Sequence, residues 1–227
     1  MTLSVLILRP ITGGQETARR AKDHGLHPIV DPLFVIEPMA WTAPPASDFD
    51  ALMLTSANAV QYAGSVLGQY QHLPVLAVGE ATAQAARNAG LDVIMSGNGG
   101  AEELLRSVAT DRYPNILRLM GKDHIKLVQT EHSIKQCCVY QSRALPLGEM
   151  AQAALQQGHV VVLHSARAGK TVMEEMERLG LDRSINHIAA LSPKIAKAAG
   201  TGWKSVQAAE QPTDDALLSL AGRLCLS

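Results

Sequence analysis

Aromatic side chains are scarce. Two Trp, four Tyr and two Phe make up 4% of the 227 residues, too few rings for a stacking platform that binds single-stranded nucleic acid. An excess charge of either sign is missing too, since 20 Lys and Arg stand against 21 Asp and Glu. No global field draws the chain to nucleic acid or an anionic membrane, so any anionic ligand must be gripped locally. The three cysteines, Cys137, Cys138 and Cys225, show no metal-ligand spacing, and their odd number argues against a disulfide framework. No metal site is expected, and a reducing cytoplasm is the simplest setting. No apolar run is long enough to span a bilayer. The run at residues 3–8 is too short for a signal segment and lacks its basic start and its cleavage site.

What is present is an apolar fraction of 47%, ordinary for a globular chain with real cores, and a repeat. Val75-Leu-Ala-Val-Gly-Glu-Ala-Thr-Ala-Gln-Ala-Ala-Arg-Asn-Ala-Gly90 reads as a buried strand, a tight glycine turn and an Ala-rich helix. A second copy is His187-Ile-Ala-Ala-Leu-Ser-Pro-Lys-Ile-Ala-Lys-Ala-Ala-Gly200. One supersecondary unit used twice implies two similar domains. Around these copies, continuous apolar runs predict buried strands at 3–8, 49–55, 115–120 and 159–164, with shorter strands at 28–30, 92–95 and 204–209. Helices are expected at 15–24 after a loop at 11–14, at 56–67, 101–109, 150–157, 165–179 and 213–221, and a poorer one after Gly121-Lys-Asp123. Residues 33–36, between prolines, and 141–147 read as linkers.

The repeat is not in simple tandem. Asp50-Ala-Leu-Met-Leu-Thr-Ser matches His159-Val-Val-Val-Leu-His-Ser, which places Ser56 over Ser165. Asn115-Ile-Leu-Arg matches Leu6-Ile-Leu-Arg, which places Arg118 over Arg9. The layout that satisfies these offsets joins residues 1–35 with 150–227 in one discontinuous α/β domain and inserts 42–138 as the other. Linker strands at 33–41 and 139–147 then run side by side. The expected fold is α/β, two similar doubly wound parallel-sheet domains joined by a two-stranded β linker, with a small-molecule cleft between them. In such sheets ligands bind beyond the carboxyl ends of the strands. The residues there include Arg9, Thr55, Ser56, Asn58, Gly79, Thr82, Gly121, Ser165, Ser192 and Lys194, mostly small or hydroxylic, suited to holding carboxylates or phosphates.

Leu8-Arg-Pro10, Leu54-Thr-Ser-Ala-Asn-Ala-Val60, Val78-Gly-Glu-Ala-Thr-Ala83, Val139-Tyr140, Ser165 and the closing 212–217, taken in this order and spacing, resemble the uroporphyrinogen-III synthase family. The resemblance implies a cytoplasmic lyase without a cofactor. Such an enzyme cyclises the linear tetrapyrrole hydroxymethylbilane to uroporphyrinogen III, inverting ring D and releasing water. It further implies a monomer in contact with hydroxymethylbilane synthase, and a catalytic role for Tyr140 as a donor to the departing hydroxyl. The chain departs from the family pattern at Ile195, where a hydroxyl residue is common, and at His164, where Thr or Ser is usual. The alternative is a two-domain small-molecule binding protein or sensor with no catalysis.

Each residue also has a plainer reading. Tyr140 is a donor or a half-buried hinge residue. Ser56, Thr82 and Ser165 bind ligand or cap helices, at about 1 kcal/mol each. Arg9 meets a carboxylate or closes a strand end by an ion pair. His164 and His187 titrate near neutrality or are structural. Gly97-Asn-Gly-Gly100 is a turn, because no Gly-Lys-Ser/Thr follows it.

Overall fold

The computed structural model describes residues 4–97, 99–127 and 130–226, and the chain forms two units, Met1–Val35 with Arg143–Ser227, and Ile36–Ser142. The first opens with β1 (Ser4–Ile7), α1 (Ile11–Asp23) and β2 (His27–Val30). β3 (Phe34–Pro38) leads into the second, followed by β4 (Ala51–Leu54), α2 (Ala57–Tyr62), β5 (Val75–Val78) and α3 (Glu80–Asn88). Next come β6 (Val93–Gly97), α4 (Ala101–Arg106), β7 (Asn115–Gly121) and β8 (Ser133–Ala144), which leads back. The first unit is completed by α5 (Glu149–Gln157), β9 (Val160–Leu163), α6 (Ala166–Arg178), β10 (His187–Ala190), α7 (Pro193–Ala198), β11 (Ser205–Ala208) and α8 (Asp214–Cys225).

The first unit's sheet runs β11-β10-β9-β1-β2, all parallel. The second runs β3-β8-β7-β4-β5-β6, parallel from β8 to β6. β3 is antiparallel to β8, because Met39 N–H donates to the Val139 carbonyl (2.9 Å) while Leu145 N–H donates to that of Leu33 (2.8 Å). Setting β3 aside, the two orders coincide: β7, β4, β5 and β6 stand where β1, β9, β10 and β11 do. The middle strands are mainly apolar because helices cover both faces, the buried exceptions being His187 in β10 and Arg118 in β7. In the first unit α5, α6 and α7 bury Leu155, Val172 and Ile195 on one side, and α8 buries Leu217 and Leu220 on the other. In the second, α2 and α3 bury Val60 and Ala86 against Leu52 and Leu117, and α4 places Leu104 and Leu105 over Met53 and Ile116. Each buried Val, Leu, Ile or Met side chain contributes roughly 1.5–3 kcal/mol.

Four expectations change. α1 begins at Ile11, not at 15, with Pro10 as its N-cap residue. Gly13 and Gly14 lie inside its first turn, where a Cβ on Gly14 would come within 2.9 Å of Val30 Cγ1, so close packing and not a loop accounts for the pair. The helix expected to reach 67 stops at Tyr62, and after Gly64 (φ +76°) a 3₁₀ turn covers Ser65–Tyr70. A residue in the left-handed region cannot continue an α-helix. Residues 122–127 form no helix. The second linker is instead part of one long strand, β8, and the unit boundaries fall at 35/36 and 142/143.

The register also corrects the repeat. β4 pairs Ala51 with Ile116 of β7, and β9 pairs Val160 with Val5 of β1. With Ala51 over Val160, Arg118 corresponds to Ile7, and Arg9 to Met120. The shared Ile-Leu-Arg string is therefore two residues out of structural step.

Candidate functional site

At the carboxyl edge of the second unit's sheet, β4 delivers Thr55, β7 delivers Gly121 and β8 delivers Tyr140. These three expected site residues line one cavity of about 350 Å³, together with Val78, Arg118, Gly100, Ala101 and residues 123–125. Tyr140 is half-buried with its ring over Gly121. A Cβ at 121 would come within 2.5 Å of the ring Cζ and 2.8 Å of the hydroxyl oxygen, so the glycine is what lets the phenol lie against the strand end. The Tyr62 ring stands beside it at a centroid distance of 6.2 Å. A larger cavity of about 880 Å³ is lined by residues of α4 together with Leu127, Thr130, Glu131 and His132, and none of the expected site residues lines it.

The other expected residues of this unit start its helices. Ser56 Oγ accepts the Asn58 N–H (3.1 Å) as N-cap of α2. Gly79, at φ +84°, is the N-cap residue of α3 and donates its N–H to the Gly97 carbonyl (2.8 Å). Thr82 is 5% exposed in the first turn of that helix.

In the first unit the corresponding edge is closed on itself. Arg9 Nη1 donates to Thr17 Oγ1 (2.9 Å) and lies 3.5 Å from Asp214, the first residue of α8. The Thr17 hydroxyl donates to the same carboxylate (3.3 Å). His164 Nε2 stands 3.1 Å from the other oxygen of Asp214. Its Nδ1 is buried with no partner among the described residues. Burial, then the Arg9 charge, push the His164 pKa down to about 4 against the opposing pull of Asp214. The imidazole is therefore neutral at pH 7, Nε2–H donating to Asp214. Arg9 thus makes the ion pair that one of its two readings describes. Ser165 Oγ caps α6 by accepting the Ala168 N–H (3.1 Å). Ser192 precedes α7 without a side-chain cap bond, and Lys194 is exposed.

Arg118 was not among the expected residues. It is 2% exposed, its Nη2 donates to the Ile125 carbonyl (3.2 Å), and its Nε and Nη1 have no partner among the described residues. Burial lowers its pKa, with Cys138 opposing. The signal was available: Ile116-Leu-Arg-Leu-Met120 puts one cation inside an otherwise apolar central strand, which is a costly placement. Matching Arg118 to Arg9 concealed it. Among the described residues no cluster of His, Cys, Asp or Glu could hold a metal ion.

Residues 15–219 match the profile of the family described as uroporphyrinogen-III synthase HemD. The chain belongs to the uroporphyrinogen-III synthase family. Among solved structures it is similar to uroporphyrinogen-III synthetase from Helicobacter pylori, at 18% identity and a TM-score of 0.69, covering 99% of this chain and 100% of that one. It is also similar to a mutant uroporphyrinogen III synthase from Thermus thermophilus, at 17% identity and a TM-score of 0.55, covering 98% of each. These likenesses show the shared two-domain fold. No curated protein sequence matches significantly. Family membership makes the chain an enzyme of tetrapyrrole biosynthesis that cyclises hydroxymethylbilane to uroporphyrinogen III, with inversion of ring D and loss of water, in a family whose reaction uses no cofactor. No observation favours a non-catalytic sensor. No helix among the described residues is long and apolar enough to cross a membrane.

Proposed function

We propose that the reaction is carried out at the strand carboxyl ends, with Tyr140 as the donor to the departing hydroxyl. The observation that supports this is the meeting of Tyr140, Gly121 and Thr55 in one cavity. The Tyr140 phenol donates a hydrogen bond to the hydroxyl as its C–O bond breaks, and the proton that the pyrrole N–H gives up as the azafulvene forms joins the departing hydroxide to make water. Attack through the substituted carbon of the last ring then gives a spiro intermediate, which rearranges to the inverted ring. Most of the protein's work is to hold the two ends of the bilane together, which is catalysis by positioning. In the second unit Thr55, Ser56, Asn58, Gly79, Thr82 and Gly121 supply donors to substrate carboxylates, and in the first Arg9, Ser165, Ser192 and Lys194 offer the same chemistry. The capping role of Ser56 and Ser165 coexists with this one, since a hydroxyl oxygen accepting one N–H still has its proton to donate.

In this reading the enzyme is a cytoplasmic lyase that works as a monomer and receives its linear tetrapyrrole from hydroxymethylbilane synthase, with no nucleic acid, membrane or metal involved. The test is to incubate the chain with hydroxymethylbilane, oxidise the products and separate type I from type III porphyrin. Type III above the spontaneous type I background is the expected result. Type I alone would refute the function.

A further inference from the structure

In the first unit the edge cation, Arg9, is neutralised by Asp214, the first residue of α8. In the second unit the helix on the corresponding face of the sheet, α4, begins instead with Ala101, which has no carboxylate, and Ala101 lines the cavity with Arg118. By strand register the Arg118 guanidinium occupies a position that an aliphatic residue, Ile7, fills in the first unit. It keeps Nε–H and Nη1–H unpartnered among the described residues. The cavity's two carboxylates, Glu102 and Asp123, have interactions of their own and leave those two nitrogens without a bond. His124 turns its Nδ1 to the carbonyls of Gly121 (3.2 Å) and Lys122 (3.1 Å).

An unpaired buried cation is expensive to keep, and two N–H groups on one guanidinium edge match the two oxygens of a carboxylate. We propose that Arg118 holds one carboxylate arm of the substrate in this cavity, beside Thr55 and under Tyr140. The assignment rests on the function proposed above and adds the residue that sets how deep one acidic arm of the bilane is seated. Through the shared cavity it also fixes where the rest of the molecule lies relative to the phenol.

The experiment compares the whole chain as wild type, Arg118→Lys and Arg118→Met. One measurement is the melting temperature in sodium propionate, sodium phosphate and sodium chloride at equal ionic strength. The other is kcat and KM for type III product from hydroxymethylbilane. Loss of a charge-assisted pair should raise KM about 10- to 100-fold in Arg118→Met, with kcat changed far less and Lys restoring part of the loss. Propionate should raise the melting temperature of the wild type above its value in chloride and leave Arg118→Met unmoved. A wild-type KM in Arg118→Met overturns the proposal, whether or not that variant melts lower. So does stabilisation by phosphate but not propionate, which would make this a site for a free inorganic anion. If the wild type makes no type III product, the proposed function fails. The propionate measurement then still reads whether Arg118 binds a carboxylate.

Discussion

Acidification should destabilise the first unit chiefly through His164, and His164→Thr should remove the larger part of that dependence. Thr is the natural replacement, because Thr55 stands at the corresponding place in the second unit. In the folded chain the imidazole is pushed down to about 4 from an ordinary 6.5, by burial first and by the Arg9 charge second, with Asp214 pulling the other way. Protonating it would add a charge beside Arg9 and a second buried N–H at Nδ1, which has no partner among the described residues. The unfolded chain thus takes up this proton at a higher pH than the folded one. Stability is complete above about pH 6.5, falls as pH drops through the unfolded value, and stops falling from this source near pH 4. At 1.36 kcal/mol per pH unit the full gap is about 3 kcal/mol, of which most is lost by pH 4.5. Urea unfolding in a Trp41→Phe background, followed by the fluorescence of buried Trp203, reports on the first unit. His187, also lowered by burial and by Lys204, adds to the wild-type slope in the same direction, so the difference between variant and wild type isolates His164. Parallel profiles for the two from pH 7 to 4.5 would refute the reasoning.

Tyr140→Phe keeps the ring over Gly121 and removes the hydroxyl. The rate of type III formation, with the spontaneous background subtracted, should fall toward the low end of the roughly 10²–10⁴-fold typical of general acid assistance, and a wild-type rate would remove the phenol from the mechanism. Gly121→Ala forces a Cβ into the Tyr140 ring and should cost about 1–3 kcal/mol. Much of that cost should disappear in a Tyr140→Ala background, and a double-mutant cycle with no coupling would contradict the contact. Residues 36–142 expressed alone should give a folded α/β unit, because four parallel strand pairs and both faces of their sheet are internal to it. A fragment without dispersed amide proton shifts would count against that.

The parts of the fold that could be read from the chain are those where one physical signal dominates. Val160–Leu163 and Ala51–Leu54 announce buried parallel strands because helices on both faces leave no polar side. Ser56 and Ser165 announce helix starts because both cap, Ser56 to Asn58 and Ser165 to Ala168. The misreadings come where two signals compete. Gly13 and Gly14 look like a loop but serve close packing against Arg9 and Val30. Gly64 sits inside an otherwise helical pattern and ends the helix by its positive φ. Three members of the candidate cavity, Thr55, Gly121 and Tyr140, were legible because strand carboxyl ends gather on one edge. Arg118 was not, because its role depends on the register of β7 against β4, which the shared Ile-Leu-Arg string misrepresents by two positions.

The strand order of the first unit bears on how the chain is made. β1 lies between β2 and β9, and Val5 pairs with Val160, 155 residues further on (160 − 5). At a synthesis rate of about 5–20 residues per second, roughly 8–30 s pass before β9 can meet it. During that interval one edge of a strand with three consecutive apolar residues, Val5 to Ile7, is open, while the inserted unit is emerging and can already close its own sheet. The nascent first unit is then the species most exposed to edge-to-edge association with other chains. Strong over-expression should accordingly send this protein into aggregates through β1, and slowing translation or lowering temperature should recover it as soluble chain.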